Sequence, residues 1–487
     1  MGHEFIFQID RIAVIVYFFS ILVIGLSASK DADGDTLRYF LSGRNLRWGS
    51  IGISLIAADV LCGHIMGEKG PFAAAMAVDL ELMGILGLIF LGWRAGPALT
   101  FFNSFTTNDS LERMYGGKVR SYVSLLFIAT YLLVRLSLVL LLGAFLIGYF
   151  SNLDSGVAIA AAILISGIYS IAGGFSAVIS TQIVQAIFML LGFAALVIGV
   201  AITPSLAGMH VLGAAAAIGH VSRSSPTFPW LAIVVGIPVV ALWLWLTDQY
   251  VLQHVFSARS KRDMKKGITF VALAKTLAVG TLVAVFLGMH GLYLDQAGGS
   301  LPSFVKGIVL IGVLSAIMSS LSGLFNSTSA LFTMDIYRRK KPQAEERKLV
   351  LVGRLSTMVV VLISLLWMPL LGLIGWKRSE PLQSLLACFA AVVVAVFLTG
   401  VFWKRATSVA AVSAVVVGIA SGAFRVIFEQ LSGPWQIRNG ILLWLVKTQY
   451  LNFAAIDFFI SLTVIVLASL FFPSNGTVEV LQKAQRN

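Results

Sequence analysis

The stretch Ala316–Tyr337 reads AIMSSLSGLFNSTSALFTMDIY and runs into four consecutive basic residues, 338–341. Its small and hydroxyl-bearing residues recur at spacings of three and four, which places them on one face of a helix. They are Ala316, Ser319, Ser320, Gly323 and Ser327. The bulky residues Met318, Leu321, Leu324 and Phe325 point elsewhere.

This narrow polar face has two interpretations. Small residues let membrane helices approach closely, and a serine hydroxyl can bond to a carbonyl of its own helix. Alternatively, hydroxyl and carbonyl oxygens are the hard ligands that an alkali cation needs. The face alone favours packing, whereas the rest of the chain favours the cation site.

The composition is that of a polytopic membrane protein. Hydrophobic residues make up 58% of the 487 and charged residues 12%, about half the usual charged fraction. The net charge of +13 lies mostly in short loops, where it indicates topology and not a nucleic-acid partner. Cys62 and Cys388 lie in apolar segments, so no disulfide framework or paired-cysteine metal site is expected. No cleavable signal peptide is evident.

At about 20 apolar residues per crossing, the chain has about 13 spans. They are roughly 12–28, 47–68, 74–103, 120–149, 154–173, 176–202, 229–256, 267–290, 303–335, 349–374, 382–402, 408–429 and 452–472. Lysine and arginine concentrate in the loops after the first, third, seventh, ninth and eleventh spans. The positive-inside rule therefore predicts an outside N-terminus and a cytoplasmic C-terminus.

Two spans carry signals of interruption. The second has Gly63, Gly67, Gly70 and Pro71, and the seventh has Gly236 and Pro238 ahead of two tryptophans. Each opens a set of five spans, which is typical of an inverted five-plus-five repeat with broken first helices. The predicted organisation is 1–46 as an extra helix and loop, 47–228 and 229–405 as the two repeats, and 406–487 as extra helices and a short tail.

Five ionisable residues lie within predicted spans: Asp59, His64, Glu81, Arg135 and Lys275. Placing an ionisable side chain inside a membrane costs free energy, so such residues usually have a functional role. Arg135 could instead be a structural counter-ion for Asp59 or Glu81, Lys275 could snorkel to the basic loop nearby, and His64 could be a packing residue. No histidine pair has metal spacing and no serine, histidine and acid set indicates a hydrolase, so an enzyme is not expected. The groups suit a small polyhydroxyl solute.

Several long motifs resemble the sodium/solute symporter family, closest to its sodium/glucose cotransporter branch. They are FLSGRNLRWGSIGISLIAADVLCGH at 40–64, YSIAGGFSAVISTQIVQAIFMLLG at 169–192, WLTDQYVLQHVFSARSKRDMKKG at 245–267, MSSLSGLFNSTSALFTMDIYRR at 318–339 and VAVFLTGVFWKR at 394–405. The resemblance implies an all-α fold with the inverted repeat of the leucine-transporter type.

The resemblance also implies two sets of site residues. The sodium site would use the carbonyls of Ala57, Val60 and Ala316 with the hydroxyls of Ser319 and Ser320. The solute site would use Asp59, His64, Glu81, Trp243, Trp245, Lys275 and Gln383.

Three positions depart from the pattern of the sugar branch. Asp59 replaces a neutral amide, so it could assist the ion, receive a proton or meet an amine. Leu244 replaces the tyrosine that stacks on the sugar, which leaves stacking to Trp243 or Trp245. Gln182 replaces an aspartate, and an amide supplies no negative charge for a second sodium ion.

The sequence therefore predicts a sodium-coupled importer of a neutral polyhydroxyl solute, a hexose or an inositol, with about one sodium ion per cycle of alternating access. The alternatives are a sodium- or proton-coupled carrier of an amino acid, nucleoside or carboxylate, and a transporter-like sensor or channel. The expected location is a plasma (inner) membrane, and no obligatory protein partner is expected.

Overall fold

The computed structural model describes residues 2–31, 34–59, 71–95, 104–151, 153–202, 230–291, 303–374, 380–403, 405–435 and 448–472. Their regular structure is helical, apart from one isolated bridge between Leu46 and Ala258. The principal helices are α1 Gly2–Ser27, α2 Thr36–Leu41, α3 Trp48–Asp59, α4 Pro71–Phe90, α5 Asn108–Tyr115, α6 Gly117–Ala129, α7 Leu136–Phe150, α8 Ser155–Ile202, α9 Ile237–Leu242, α10 Gln249–Phe256, α11 Lys261–Gly291, α12 Ser303–Ala330, α13 Glu346–Ile374, α14 Glu380–Phe402, α15 Ser408–Trp435 and α16 Tyr450–Phe471. Turns of π-helix extend or join several of them: Leu91–Ala95, Thr130–Arg135, Ala232–Gly236, Trp243–Thr247 and Leu331–Tyr337.

Eight stretches of the described residues are long and apolar enough to cross a membrane, and three shorter apolar helices accompany them. This confirms the prediction of a helical, multi-pass membrane protein, while the count of about 13 spans stays a prediction. One stretch, Ser155–Gly199, covers the predicted spans 154–173 and 176–202. Gly174 interrupts its helix with φ +55° and ψ −141°, at the boundary predicted between the two spans.

The interruption predicted at Gly236 and Pro238 is wrong in its position. Pro238 follows the π-helical turn Ala232–Gly236, and Gly236 and Ile237 on its N-terminal side have helical φ and ψ, so the helix continues through this proline. The chain leaves helical geometry at Asp248, with φ −69° and ψ 125°. The break therefore follows the two tryptophans instead of preceding them.

The second span is described only in part. Helix α3 reaches Asp59 and α4 begins at Pro71. The break predicted from Gly63, Gly67 and Gly70 therefore lies outside the described residues. Helices α3 and α4 both pack against α11, which therefore contacts the chain on either side of residues 60–70.

Helix α12 lies in the middle of the molecule. It packs against α3, α7, α8, α10 and α13. In the most apolar 18-residue stretch of this helix and its π-helical extension, 83% is buried inside the protein. Ile317, Met318, Leu321 and Phe325, which lie off the serine face, are also fully buried. Because protein surrounds this helix, its polar face is directed at other helices and not at lipid.

Candidate ion and solute site

The predicted polar face of α12 is buried. Ala316 is 4% exposed, Ser319 0%, Ser320 6% and Ser327 1%. Four of the five predicted sodium ligands lie in the described residues, and Val60 lies outside them.

Ser319 brings two of those ligands together. Its hydroxyl donates to the carbonyl of Ala57 at 2.9 Å, across 262 positions of the chain. Ala57 is fully buried in the last described turn of α3. Two oxygens of the kind that sodium prefers therefore meet at the junction of α3 and α12.

The carbonyl of Ser319 faces a second set of groups. It accepts hydrogen bonds from the Tyr250 hydroxyl at 3.3 Å, the Gln182 amide at 3.4 Å and the Ser322 hydroxyl at 3.1 Å. The oxygen of the Gln182 amide lies 3.1 Å from Nε2 of His254, whose Nδ1 lies 3.0 Å from the Tyr250 carbonyl. With three donors on one carbonyl oxygen, this side of Ser319 is already satisfied.

Sequence reasoning missed Tyr250 and His254. Both lie on α10, and their spacing of four places them on one face of that helix. The polar pattern QYVLQH inside a buried helix was the available signal, because polar groups in such a position need partners. All six residues of that run are buried.

Gly323 separates the two interpretations of the serine face. A Cβ on Gly323 would lie 1.6 Å from Cε2 of Tyr250, so only glycine leaves room for the tyrosine ring. At this position the packing interpretation applies. At Ser319 the hydroxyl crosses to another helix instead of bonding within its own.

Three of the predicted solute residues form one cluster. The ammonium of Lys275 lies 2.6 Å from Oε2 of Glu81 and 4.3 Å from the ring centroid of Trp245. The Lys275 side chain is 7% exposed and that of Glu81 26%. Lys275 is thus held inside the protein by an acid and a ring, and the snorkelling alternative is wrong.

Two further solute residues, Trp243 and Gln383, are also buried. Trp243 is 1% exposed and stacks on Phe127 with centroids 6.4 Å apart. Gln383 is 3% exposed on α14, which packs against the turn Trp243–Thr247. His64 and the side chain of Asp59 lie outside what the structure describes.

Arg135 pairs with Asp248 at 2.5 Å. Arg135 is therefore a counter-ion for an acid that the sequence analysis did not name, and the Asp59 side chain predicted as its partner lies outside what the structure describes. Tyr131 also donates to the Asp248 carboxylate, and the Arg135 guanidinium lies 5.1 Å from the Trp243 ring centroid. Sequence reasoning missed Asp248, which sits where the seventh span breaks.

A small cavity lies between the two sites. Its volume is about 10 Å³, the space that one water molecule needs. Its lining comprises Leu55, Ala58, Arg135, Leu244, Trp245, Tyr250 and Val251. Leu244 thus contributes an apolar wall at the position where the sugar branch has its stacking tyrosine.

The family model and the most similar characterised proteins agree with each other. The sequence model of the sodium:solute symporter family matches residues 39–418. The chain is 28% identical over 520 residues to sodium/glucose cotransporter 1 of Oryctolagus cuniculus, covering 95% of this chain and 78% of that protein. It is 30% identical over 530 residues to a sodium/mannose cotransporter of Bos taurus, covering 97% and 88%. It is 29% identical over 471 residues to sodium/myo-inositol cotransporter 2 of Mus musculus, covering 86% and 70%.

Among solved structures, the chain is similar to a substrate-bound, outward-open Na⁺-coupled sialic acid symporter. The TM-score is 0.77 at 18% identity, covering 96% of this chain and 98% of that one. At this identity the likeness shows that the two chains share a fold.

Proposed function

This chain belongs to the sodium:solute symporter family, a family of transporters and not of enzymes, and we propose that it imports a small neutral polyhydroxyl solute. A hexose or an inositol fits best. One sodium ion accompanies each solute in a cycle of alternating access. The curated relatives that carry glucose, mannose and inositol support this solute class.

The contact between Ser319 and Ala57 is the observation that carries the proposal. It puts a hydroxyl and a carbonyl, 2.9 Å apart, where the resemblance expects sodium. In the ion-bound state both oxygens turn to the ion, joined by the carbonyls of Ala316 and Val60 and the hydroxyl of Ser320. Five neutral oxygens suit a monovalent cation better than a divalent one, since none supplies negative charge.

The pair of Glu81 and Lys275 supports a neutral solute. Their charges compensate each other at 2.6 Å, so the cluster carries no net charge for an acidic or basic solute to neutralise. The pair still offers donors and acceptors to hydroxyl groups. Trp245, beneath the ammonium, offers an apolar ring face to the carbon skeleton.

The orientation of Gln182 supports one sodium ion per cycle. Its amide donates to the Ser319 carbonyl at 3.4 Å. A donor directed at this oxygen repels a cation and occupies a lone pair that a second ion would otherwise coordinate. One charge moving through 100 mV gains about 2.3 kcal/mol, which supports roughly fiftyfold accumulation of a neutral solute.

We further propose that the basic loops face the cytoplasm, with the N-terminus outside. Contacts among these loops support one shared end. Leu46 donates to the carbonyl of Ser257 at 3.0 Å, and Arg44 donates to the carbonyl of Ser104 at 2.9 Å. Arg120, the first residue of the predicted fourth span, pairs with Asp335 at the end of the ninth.

Uptake into proteoliposomes tests the proposed function. The panel comprises hexoses, inositol, an amino sugar, proline and a nucleoside, each under a sodium, proton or null gradient. Accumulation of a hexose or inositol only with sodium is expected. Uptake of an amine-bearing solute, or uptake that follows protons without sodium, contradicts the proposal and makes Asp59 the centre of the mechanism. Ligand-gated current without accumulation indicates a sensor or channel.

A further inference from the structure

A buried carboxylate anchors the loop between the third and fourth spans. Asp335, at the end of the π-helical turn that continues α12, is fully buried. It accepts hydrogen bonds from Thr106 at 2.7 Å, Ser124 at 2.6 Å and Asn108 at 3.2 Å. Arg120 adds two more, at 3.0 and 2.5 Å. The loop is therefore fixed to the helix that carries Ser319.

The same loop is also hydrogen-bonded to the first residue of α10. The side-chain oxygen of Gln249, the first residue of α10, accepts from the backbone N–H of Thr107 at 2.8 Å and from its hydroxyl at 3.1 Å. The Gln249 amide in turn donates to the carbonyl of Phe105 at 3.3 Å. Gln249 and Thr107 are at most 1% exposed. Helix α10 begins directly after the break at Asp248 and carries Tyr250 and His254.

We propose that residues 104–109 form a latch that closes the cytoplasmic end of the transport pathway. The latch holds α10 against the end of α12, and the Gln249 contacts break each time the sites open to the cytoplasm. This inference rests on the alternating-access mechanism proposed above. Residues 104–109 accordingly set how often the unloaded protein opens inward.

The strengths of the two attachments decide which one opens. On the Asp335 side the bonds are charge-assisted, and Arg120 also pairs with Asp109 at 2.5 Å. Such bonds are about twice as strong as neutral ones. On the Gln249 side, all the hydrogen bonds join an uncharged amide to uncharged groups of Thr107 and Phe105. The latch therefore stays on α12 and releases α10, which lies beside the break in the seventh span.

Cysteine accessibility tests the latch without knowledge of the solute. Leu244→Cys is introduced after Cys62 and Cys388 are replaced by alanine, because Leu244 lines the cavity beside Trp245. Inside-out membrane vesicles then expose the cytoplasmic end to an impermeant maleimide. Gln249→Ala is expected to raise the labelling rate about tenfold, the effect of losing a buried hydrogen bond on a two-state equilibrium.

Gln185→Ala is the matched control. Gln185 is also fully buried, but within the described residues its side chain makes no hydrogen bond to residues 104–109 or to α10. Its labelling rate should equal that of the parent. Equal rates for Gln249→Ala and Gln185→Ala would overturn the latch.

A covalent closure keeps the proposal falsifiable if Gln249→Ala does not fold. The pair Thr107→Cys and Gln249→Cys is bridged with a short reducible cross-linker. Uptake should stop when the bridge is complete and return on reduction, and undiminished uptake through a complete bridge would contradict the latch. If the parent shows no sodium-driven uptake, the proposed function fails, and the labelling rates alone decide the latch.

Discussion

At Ser319, one residue presents its hydroxyl and its carbonyl to different groups. The hydroxyl reaches Ala57 on α3, whereas the carbonyl is held by Tyr250, Gln182 and Ser322. The three donors fix the backbone of α12 at this turn. The hydroxyl is left to exchange its bond to Ala57 for a bond to an ion.

Replacing Ser319→Ala removes this exchangeable oxygen. We expect the sodium concentration for half-maximal uptake to rise at least tenfold, as for the loss of a group from a metal's surroundings, with solute selectivity unchanged. Ser315→Ala, one turn away, is the control because its hydroxyl bonds to Ile311 in its own helix at 2.8 Å. An unchanged sodium dependence in Ser319→Ala would refute the ion site. Gln383→Ala should change selectivity instead.

Glu81 and Lys275 should behave as a unit. Glu81→Gln or Lys275→Gln alone leaves a charge without its partner in a site from which water is largely excluded, whereas the double variant removes both charges. Each single variant should therefore lower the unfolding temperature more than the double variant does. All three should weaken solute affinity and leave the sodium dependence within about twofold. Additive losses in the double variant would show that the two side chains do not interact.

Gln182→Asp should change the stoichiometry. A carboxylate beside the Ser319 carbonyl and the Ser322 hydroxyl replaces amide donors with anionic oxygens, which favours a second sodium ion. The ratio of sodium flux to solute flux should rise from about one toward two. Gln182→Asn, which has the same length and no charge, should keep the parent ratio. Intact uptake with an unchanged ratio in Gln182→Asp would mean that this amide does not limit the ion count.

At the scale of elements, α12 is positioned by close contacts with α10. Gly323 lets the Tyr250 ring lie against the helix backbone, which brings its hydroxyl to the Ser319 carbonyl at 3.3 Å. The glycine on the serine face is thus a packing residue that positions the proposed ion ligand. The packing interpretation applies at Gly323, and the cation interpretation at Ser319 stays a proposal.

Gly323→Ala should destabilise this contact by about 1–3 kcal/mol, the usual effect of adding an atom to a packed core. The measurement is the unfolding temperature in detergent. Gly148→Ala is the matched control because, among the described residues, an added Cβ there meets no atom within 4 Å beyond its own stretch of helix. In a Tyr250→Ala background the same glycine substitution should lower the unfolding temperature less, because the ring that the added Cβ meets is gone. If Gly323→Ala and Gly148→Ala unfold at the same temperature, the packing argument fails.

At the scale of the molecule, α12 couples the centre of the protein to one of its ends. Ser319 meets α3 in the middle, and Asp335, four turns later, binds the loop that holds Gln249. An ion that draws α3 and α12 together therefore acts on the same helix that anchors the latch. This is a contiguous set of contacts through which ion binding can bias an equilibrium between two conformations.

Sodium should stabilise the whole protein because it binds the folded state alone. At 100 times the dissociation constant the gain is about 2.7 kcal/mol, which should appear as a rise in unfolding temperature with sodium concentration. Potassium at equal ionic strength should give no comparable rise, and Ser319→Ala should lose the sodium effect. A rise that is equal for the two salts would point to ionic strength instead of a site.

The membrane-protein class and the family followed from local patterns. Long apolar stretches form helices in lipid because no water is present to satisfy the backbone, so a window of sequence was enough to locate most described helices. Several long motifs, among them the one around Ser319, together indicated the family, which the family match over 39–418 confirms. The prediction that the protein is not an enzyme also stands, since its curated relatives are cotransporters.

The sequence did not indicate which charged side chains pair with each other. Hydropathy marked Arg135 and Lys275 as residues that need partners, but not that Asp248 takes the first and Glu81 the second. The break in the seventh span was misplaced because glycine and proline report only local backbone preference. Its actual position at Asp248 accompanies an ion pair and a helix cap formed by distant and local groups together.

The sequence by itself therefore determined that the chain crosses the membrane as helices and which family it belongs to, and it predicted which residues form the sites. Only the tertiary structure decided that Ser319 meets Ala57, that Tyr250 and His254 lie beside the serine face, and that Asp335 and Gln249 hold one loop between them. The physical reason is the distance along the chain over which each interaction acts. Helix formation in a membrane depends on neighbouring residues, whereas a hydrogen bond or ion pair depends on atoms a few ångströms apart that can lie more than a hundred residues away along the chain.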